Sequence, residues 1–194
     1  MDNSYKIILA SQSPRRAEIL RMIGVSFKVE PSNIHEEINQ KIKQNEIPIN
    51  LSKAKAEKIS RKYPDKIIIG ADTVVVFNKK IFGKPKDKNE SKKMLKALSG
   101  NSHEVITGVT IMNEKLGAIK TFSETTKVFV QKIPTKQIEF YVNNYNTLDK
   151  AGSYGIQEWF SVWIKKINGC YYNVMGLPVS KLHRHLVEIE KKII

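Results

Sequence analysis

The chain has 194 residues, 41% of them hydrophobic, so it can bury a core and favours one domain of two lobes, which excludes a disordered or fibrous protein. No apolar run approaches the roughly 20 residues that span a bilayer, and the N-terminal sequence MDNSYKIILA lacks the basic flank of a signal peptide, so we expect a cytoplasmic protein. The single Cys170 and four scattered histidines exclude an internal disulfide and a Cys/His zinc site, and the formal charge of +14 is spread along the chain rather than concentrated in a nucleic-acid-binding patch.

The first third of the chain alternates apolar strand patterns with helix patterns. Strands are predicted at residues 5–10, 26–30 and 66–69, and helices at residues 14–23 and 49–62, the first of them closed by Gly24. No Walker loop or GxGxxG turn accompanies this βαβαβ order. Any phosphate site must therefore use other residues.

The rest of the chain predicts hairpins and further helices. Residues 74–77 and 80–82 flank an Asn78-Lys79 turn, a helix follows at 89–98, and longer strands are expected at 103–112 and 121–132. A helix is predicted at 135–144, a hairpin from strands 161–167 and 171–174 joined at Asn168-Gly169, and a closing helix from Pro178. We expect an α/β fold with a mixed, twisted central sheet, flanking helices and two lobes around a cleft.

The segment SQSPRR at residues 11–16 predicts the start of a helix that binds an anion. Ser13 is placed to cap the helix and Pro14 to occupy its first turn, so Arg15 and Arg16 fall at its positive end. Two cations there oppose the helix dipole unless an anion neutralises them, and Ser11 adds a hydroxyl donor. Phosphate is the natural candidate. The same residues also fit an ordinary capped helix with both arginines in water.

Asp72 follows an apolar strand, so we expect its carboxylate at the strand's C-terminal end, where ligands bind in α/β sheets. A carboxylate in that position also fits a simple turn cap. Glu36, after the second strand, fits either a metal ligand or a solvated acidic residue.

Three further polar residues would not be singled out as site residues if each were considered alone. Lys55 lies between alanines on the second predicted helix, and Lys84 precedes a proline that favours an extended backbone. Gln157 ends a glycine-punctuated loop, and its amide pairs a donor with an acceptor, as the edge of a nucleobase does.

Taken in order, these segments resemble the Maf family of nucleoside triphosphate pyrophosphatases over nearly the whole chain. Each motif is short, but the ordered set is specific. It comprises LASQSPRR at 9–16, GADT at 70–73, GKP at 83–85, LSG at 98–100 with His103, DKAG at 149–152 with YGIQ at 154–157, and GLP at 176–178.

The resemblance implies an enzyme that cleaves a nucleoside triphosphate between its α- and β-phosphates with a divalent metal, Mg²⁺ or Mn²⁺. Asp72 matches the family's catalytic acidic residue, and Glu36, Lys55 and Lys84 match its other polar cleft positions, with Glu36 and Asp72 as the expected metal ligands. Substrate choice resembles a three-position code. The residues that match members preferring dTTP and UTP are Arg15, Thr73 and Gln157.

The chain departs from the family in the sequence after Gln157. Glu158-Trp159-Phe160 stands where the family is glycine-rich, which we expect to reshape the base pocket, and Asn146-Thr147 replaces an acidic residue and a proline. The expected role is removal of non-standard nucleotides, with a nucleoside triphosphate as partner, no membrane and no nucleic acid, and a homodimer left open. The alternative is a nucleotide- or nucleic-acid-binding regulator of cell division, associated with septum inhibition, that needs no hydrolysis.

Overall fold

A computed structural model describes residues 6–34 and 42–191 of the chain. Its first part is a βαβαβ unit, as the sequence predicts. The elements are β1 (Ile7–Leu9), α1 (Pro14–Met22), β2 (Phe27–Val29), α2 (Glu46–Ser60) and β3 (Ile67–Phe77). β1 pairs in parallel with both β2 and β3, with Ile8 opposite Lys28 and Ile68. β1 is entirely buried, and its Ile8 shares a buried apolar cluster with Ala56 and Ile59 of α2, because helices cover the faces of a parallel sheet.

The remaining elements complete a mixed sheet. They are β4 (Lys80–Phe82), α3 (Lys88–Leu98), β5 (Ser102–Asn113), β6 (Ala118–Val130), α4 (Thr135–Asn144), β7 (Ile164–Asn168), α5 (Tyr171–Met175) and α6 (Val179–Glu190). Among the described residues the strands follow the order β2-β1-β3-β5-β6-β7, and β4 pairs with β3. The β3–β4 and β6–β7 pairs are antiparallel, so the predicted mixed sheet with flanking helices is confirmed.

The chain divides into two compact units. Among the described residues, the first contains 6–34, 42–72, 107–124 and 176–191, and the second contains 73–106 and 125–175. The first unit buries aliphatic side chains such as Leu9, Leu20 and Ile68, whereas the second adds the aromatic rings of Tyr141 and Phe160 to its core. The predicted cleft between two lobes stays a prediction. None of the helices in the described ranges is both long and apolar enough to cross a bilayer.

The turn predicted after β3 is confirmed. Asn78 and Lys79 both have positive φ values, of 48° and 60°, and they connect β3 to β4. Two central residues with positive φ match the twist of antiparallel strands, which is why asparagine is favoured at such a turn.

The hairpin predicted for residues 161–174 is wrong, although its first strand is confirmed in part by β7. Ser161 belongs to a short 3₁₀ helix, Trp159–Trp163, and the second predicted strand is the helix α5. Side-chain contacts decide this outcome. The Thr126 hydroxyl bonds the backbone N–H and C=O of Cys170, at 3.0 and 3.1 Å, and the buried Asn173 amide donates to Thr126 Oγ1 and to the Val105 carbonyl oxygen, each at 3.0 Å. A four-residue apolar pattern cannot reveal such contacts.

The predicted end of the strand before Asp72 is also wrong. β3 runs without a break from Ile67 to Phe77, so Asp72 lies inside a strand. Gly70 and Ala71 are part of the strand and do not form a turn. The missing side chain of Gly70 makes room for α2 beside the strand. β1 ends at Leu9, opposite Ile69, so Asp72 still lies beyond the end of its parallel neighbour.

Candidate functional site

A buried ion pair joins α2 to β3 in the first unit. Lys55 Nζ lies 2.6 Å from Asp72 Oδ1, and each side chain is 9% exposed. A charge-assisted hydrogen bond of this length holds both groups in one orientation, and neither charge is buried without an opposite charge beside it. The structure therefore brings together two of the residues that the sequence singled out.

Two glycines explain how α2 comes so close to the sheet. A Cβ at Gly70 would lie 2.2 Å from the Ser52 carbonyl oxygen, and a Cβ at Gly108 on β5 would lie 2.2 Å from the Pro48 carbonyl oxygen. The Ser52 hydroxyl adds a buried hydrogen bond of 3.0 Å to Thr110. The bare backbone at both positions lets the helix lie directly on the strands, which brings Lys55 within reach of β3.

A second group surrounds the start of α1. The buried Arg16 side chain donates from Nε to the Gly176 carbonyl oxygen at 2.8 Å and from Nη1 to Ser11 Oγ at 2.9 Å. Ser11 Oγ also accepts a hydrogen bond from the Ser13 N–H at 3.2 Å. These contacts tie the SQSPRR segment to the GLP segment of the first unit, two of the motifs that carry the family resemblance. Arg15 is only half-buried.

The predicted side-chain cap of α1 is wrong in detail. Ser13 does hold the N-cap position and Pro14 opens the helix, but the Ser13 side chain makes no capping hydrogen bond. The serine that organises this turn is Ser11, two residues earlier. Local sequence suggests Ser13 because a cap is judged by its position, whereas the role of Ser11 depends on the distant contact between Arg16 and Gly176.

The second unit holds Lys84 and Gln157 on two loops that are joined through their backbones. Gly152 N–H donates to the Gly83 carbonyl oxygen at 3.1 Å, which places the glycine-punctuated loop beside the residue before Lys84. Lys84 is exposed. Gln157 is half-buried, and its Oε1 is buried with no hydrogen-bond partner among the described residues. A buried acceptor without a donor costs about 1–3 kcal/mol, so such an atom is notable.

Thr73, the third position of the expected substrate code, follows Asp72 directly on β3. Its side chain is half-buried. Glu36, the second expected metal ligand, lies outside the described residues.

Several buried polar groups of the second unit are not indicated as site residues by the sequence. His103 Nε2 lies 2.7 Å from the Tyr154 hydroxyl, and burial lowers the pKa of His103 to about 4 and raises that of Tyr154. Lys150 is buried between Asp149 and Glu158, with Nζ 3.0 Å from a carboxylate oxygen of each. The contact between Lys150 and Glu158 depends on the path of the irregular chain between them, so no periodic sequence pattern indicates it.

The residues of the first unit are compatible with a divalent metal, judged by their donor chemistry. Among the described residues no three His, Cys, Asp or Glu side chains cluster as a complete metal site. Mg²⁺ is commonly held by only one or two protein carboxylates, because water and substrate phosphates supply the other ligands. The buried carboxylate of Asp72 meets that requirement, with Glu36 as the second candidate.

The fold is that of an α/β protein with a buried lysine–aspartate ion pair at its central sheet and two arginines at the start of α1. The chain belongs to the Maf-like protein family, whose profile matches residues 6–189.

Relatives cover most of the chain. A dTTP/UTP pyrophosphatase of Cytophaga hutchinsonii is 48% identical over 187 residues, which is 95% of this chain and 83% of the relative. Proteins with the same name from Thermosipho africanus and Carboxydothermus hydrogenoformans are 49% and 44% identical, over 91% and 94% of this chain and 90% and 98% of their own lengths. The similarity therefore includes both compact units.

Proposed function

We propose that this protein is a nucleoside triphosphate pyrophosphatase that hydrolyses dTTP and UTP, together with modified pyrimidine nucleotides, to the monophosphate and pyrophosphate. Its relatives named dTTP/UTP pyrophosphatase support this activity over nearly the whole chain. The observation that carries the chemistry is the buried Lys55–Asp72 pair on α2 and β3. The role that follows is control of the cytoplasmic nucleotide pool, so that non-standard nucleotides are kept out of nucleic acids.

The proposed reaction uses Asp72 as the base. Water attacks the α-phosphorus, its proton passes to the Asp72 carboxylate, and the bond from the α-phosphorus to the bridging oxygen breaks, releasing pyrophosphate. Lys55, whose Nζ donates to Asp72 Oδ1 at 2.6 Å, fixes the direction of that carboxylate. A base acts only when its oxygen is held within hydrogen-bond reach of the attacking water, so the pair supplies orientation as well as charge.

The basic residues are proposed to bind the phosphates. Arg15 lies in the first turn of α1, where the helix dipole and the unpaired N–H groups favour an anion. Ser11 and Arg16 hold that turn in place through their hydrogen bond of 2.9 Å. We assign Lys84 to the leaving pyrophosphate, because an exposed ammonium can neutralise the charge that develops there.

A divalent cation, Mg²⁺ or Mn²⁺, is proposed as the cofactor, with Asp72 and Glu36 as its protein ligands. When bound, such an ion would withdraw charge from the phosphate oxygens and so assist departure of the pyrophosphate. The support is the donor chemistry of Asp72 and the family to which the chain belongs.

Gln157 is proposed to meet the base, with Thr73 and Arg15 as the other selecting positions. A glutamine amide can donate to O4 and accept from N3–H of uracil or thymine. The unpartnered Gln157 Oε1 supports this assignment, because it is an acceptor that the described protein groups leave unsatisfied.

The test is pyrophosphate release from a panel of natural and modified triphosphates with Mg²⁺ or Mn²⁺. We expect dTTP and UTP to be preferred and Asp72→Asn to abolish turnover. Asp65→Asn is the matched control, because Asp65 is a 57% exposed carboxylate of the same unit. Equal activity of the wild type and Asp72→Asn would exclude Asp72 as the base. An inactive wild type that binds DNA with a steep salt dependence would instead favour the regulator of cell division.

A further inference from the structure

The ammonium of Lys150 is surrounded by protein oxygen atoms. Lys150 Nζ donates to the Asn146 carbonyl oxygen and to Asp149 Oδ1, the latter at 3.0 Å, and it forms an ion pair with Glu158 Oε1, also at 3.0 Å. An ammonium has three N–H donors, and the side chain is only 5% exposed. Two protein carboxylates balance the charge of Lys150, so we assign it a structural role and not the binding of a phosphate.

Glu158 uses its second carboxylate oxygen on another buried partner. The Tyr141 hydroxyl donates to Glu158 Oε2 at 3.2 Å and accepts from the Gly155 N–H at 3.2 Å. Gly155 permits this contact because a Cβ there would lie 2.9 Å from Glu158 Cδ. The Glu158 N–H also donates to the Gly155 carbonyl oxygen at 3.2 Å. The backbone on both sides of Gln157 is thus held by Lys150, Glu158 and Tyr141, a group that we call the Glu158 clamp.

A glutamine amide on its own does not separate uracil from cytosine. Uracil presents an acceptor at O4 and a donor at N3, whereas cytosine presents a donor at N4 and an acceptor at N3. Rotation of the amide by 180° exchanges the oxygen and nitrogen of Gln157 and so satisfies either base. Discrimination therefore requires that the residue be held in one orientation by its surroundings, since only a fixed amide leaves the wrong base unpaired.

We infer that Glu158 and Lys150 are positioning residues for base selection, because the Glu158 clamp fixes the backbone on both sides of Gln157 and the backbone conformation limits which rotamers the Gln157 side chain can adopt. This inference rests on the proposed function, since it takes Gln157 as the group that meets the base.

The test compares kcat/KM for UTP and CTP in wild type and Glu158→Gln. The substitution keeps the size of the side chain and leaves Lys150 paired with Asp149, so the fold should persist. We expect the UTP/CTP ratio to fall by about tenfold, the effect of weakening one hydrogen bond to the base, and mainly through KM for UTP. Glu139→Gln is the matched control, an exposed glutamate on α4 in the same unit, and should leave the ratio unchanged.

Two further variants make the outcome decisive. Tyr141→Phe keeps the ring, which stacks on Tyr145 and Trp159, but removes the hydroxyl between Gly155 and Glu158, so it should lower the ratio even if Glu158→Gln fails to fold. Gln157→Ala gives the UTP/CTP ratio that is expected when no amide contacts the base. An unchanged ratio in Glu158→Gln and Tyr141→Phe, with a reduced ratio in Gln157→Ala, would overturn the clamp and leave the pyrophosphatase intact. A wild type that hydrolyses no pyrimidine triphosphate would instead overturn the proposed function, and the inference with it.

Discussion

The buried pair of His103 and Tyr154 makes stability depend on pH in the mildly acidic range. Burial lowers the pKa of His103 from its ordinary 6.5 to about 4, and its Nδ1 has no hydrogen-bond partner within the described ranges. Above pH 6.5 the imidazole is neutral in both the native and the unfolded state. Between pH 6.5 and 4 the unfolded chain takes up a proton that the native state refuses, so the free energy of unfolding falls as the pH falls.

The size of the effect follows from the shift. One unit of pKa difference corresponds to about 1.4 kcal/mol, so this histidine removes about 3 kcal/mol of stability between pH 6.5 and 4, of which about 2 kcal/mol is gone by pH 5. Most carboxylates stay ionised down to about pH 5, which makes that pH the best point of comparison.

The assay is urea unfolding at pH 7.5 and pH 5, followed by circular dichroism. Wild type should lose about 2 kcal/mol more between the two pH values than His103→Gln, which cannot titrate. His183→Gln removes an exposed histidine of α6 and should keep the wild-type dependence. If wild type and His103→Gln lose the same free energy, His103 is not the group that resists protonation, and the reasoning is refuted.

Four substitutions, in three tests by thermal or urea unfolding, probe the packing of the two units. Lys55→Met leaves the carboxylate of Asp72 buried without its ammonium and should cost about 3–5 kcal/mol, whereas a cost below about 1 kcal/mol would mean that the pair is solvated. Gly70→Ala places a Cβ 2.2 Å from the backbone of α2, so we expect a loss above about 3 kcal/mol, and a neutral effect would contradict the close contact. Gly152→Ala and Gly24→Ala both place alanine at a positive φ, but only Gly152 is also crowded, so its variant should be the less stable and equal losses would argue against that crowding.

Much of the fold could be predicted because it depends on local patterns. The βαβαβ order follows from apolar runs that alternate with helical periodicity, and the Asn78-Lys79 turn follows from residues that tolerate positive φ. The hairpin expected near Asn168 does not form. The Thr126 side chain, more than forty residues earlier in the sequence, forms hydrogen bonds with the Cys170 backbone there. Patterns along the chain cannot report such distant side-chain contacts.

The candidate site, like the fold, could be predicted only in part. Asp72 and Lys55 could be singled out from the motifs, but their contact depends on the missing side chain of Gly70, and nothing local indicates how close α2 comes to β3. The contact between Lys150 and Glu158 depends on the path of an irregular loop. Residue types were therefore more predictable than the partners that fix their orientation.

The most direct test of the proposed activity is ³¹P NMR of UTP hydrolysis in ¹⁸O-labelled water with Mg²⁺. Attack on the α-phosphorus predicts UMP and pyrophosphate in equal amounts, with the isotope-shifted signal on UMP alone. UDP with inorganic phosphate, or label in the pyrophosphate, would contradict the reaction proposed for Asp72.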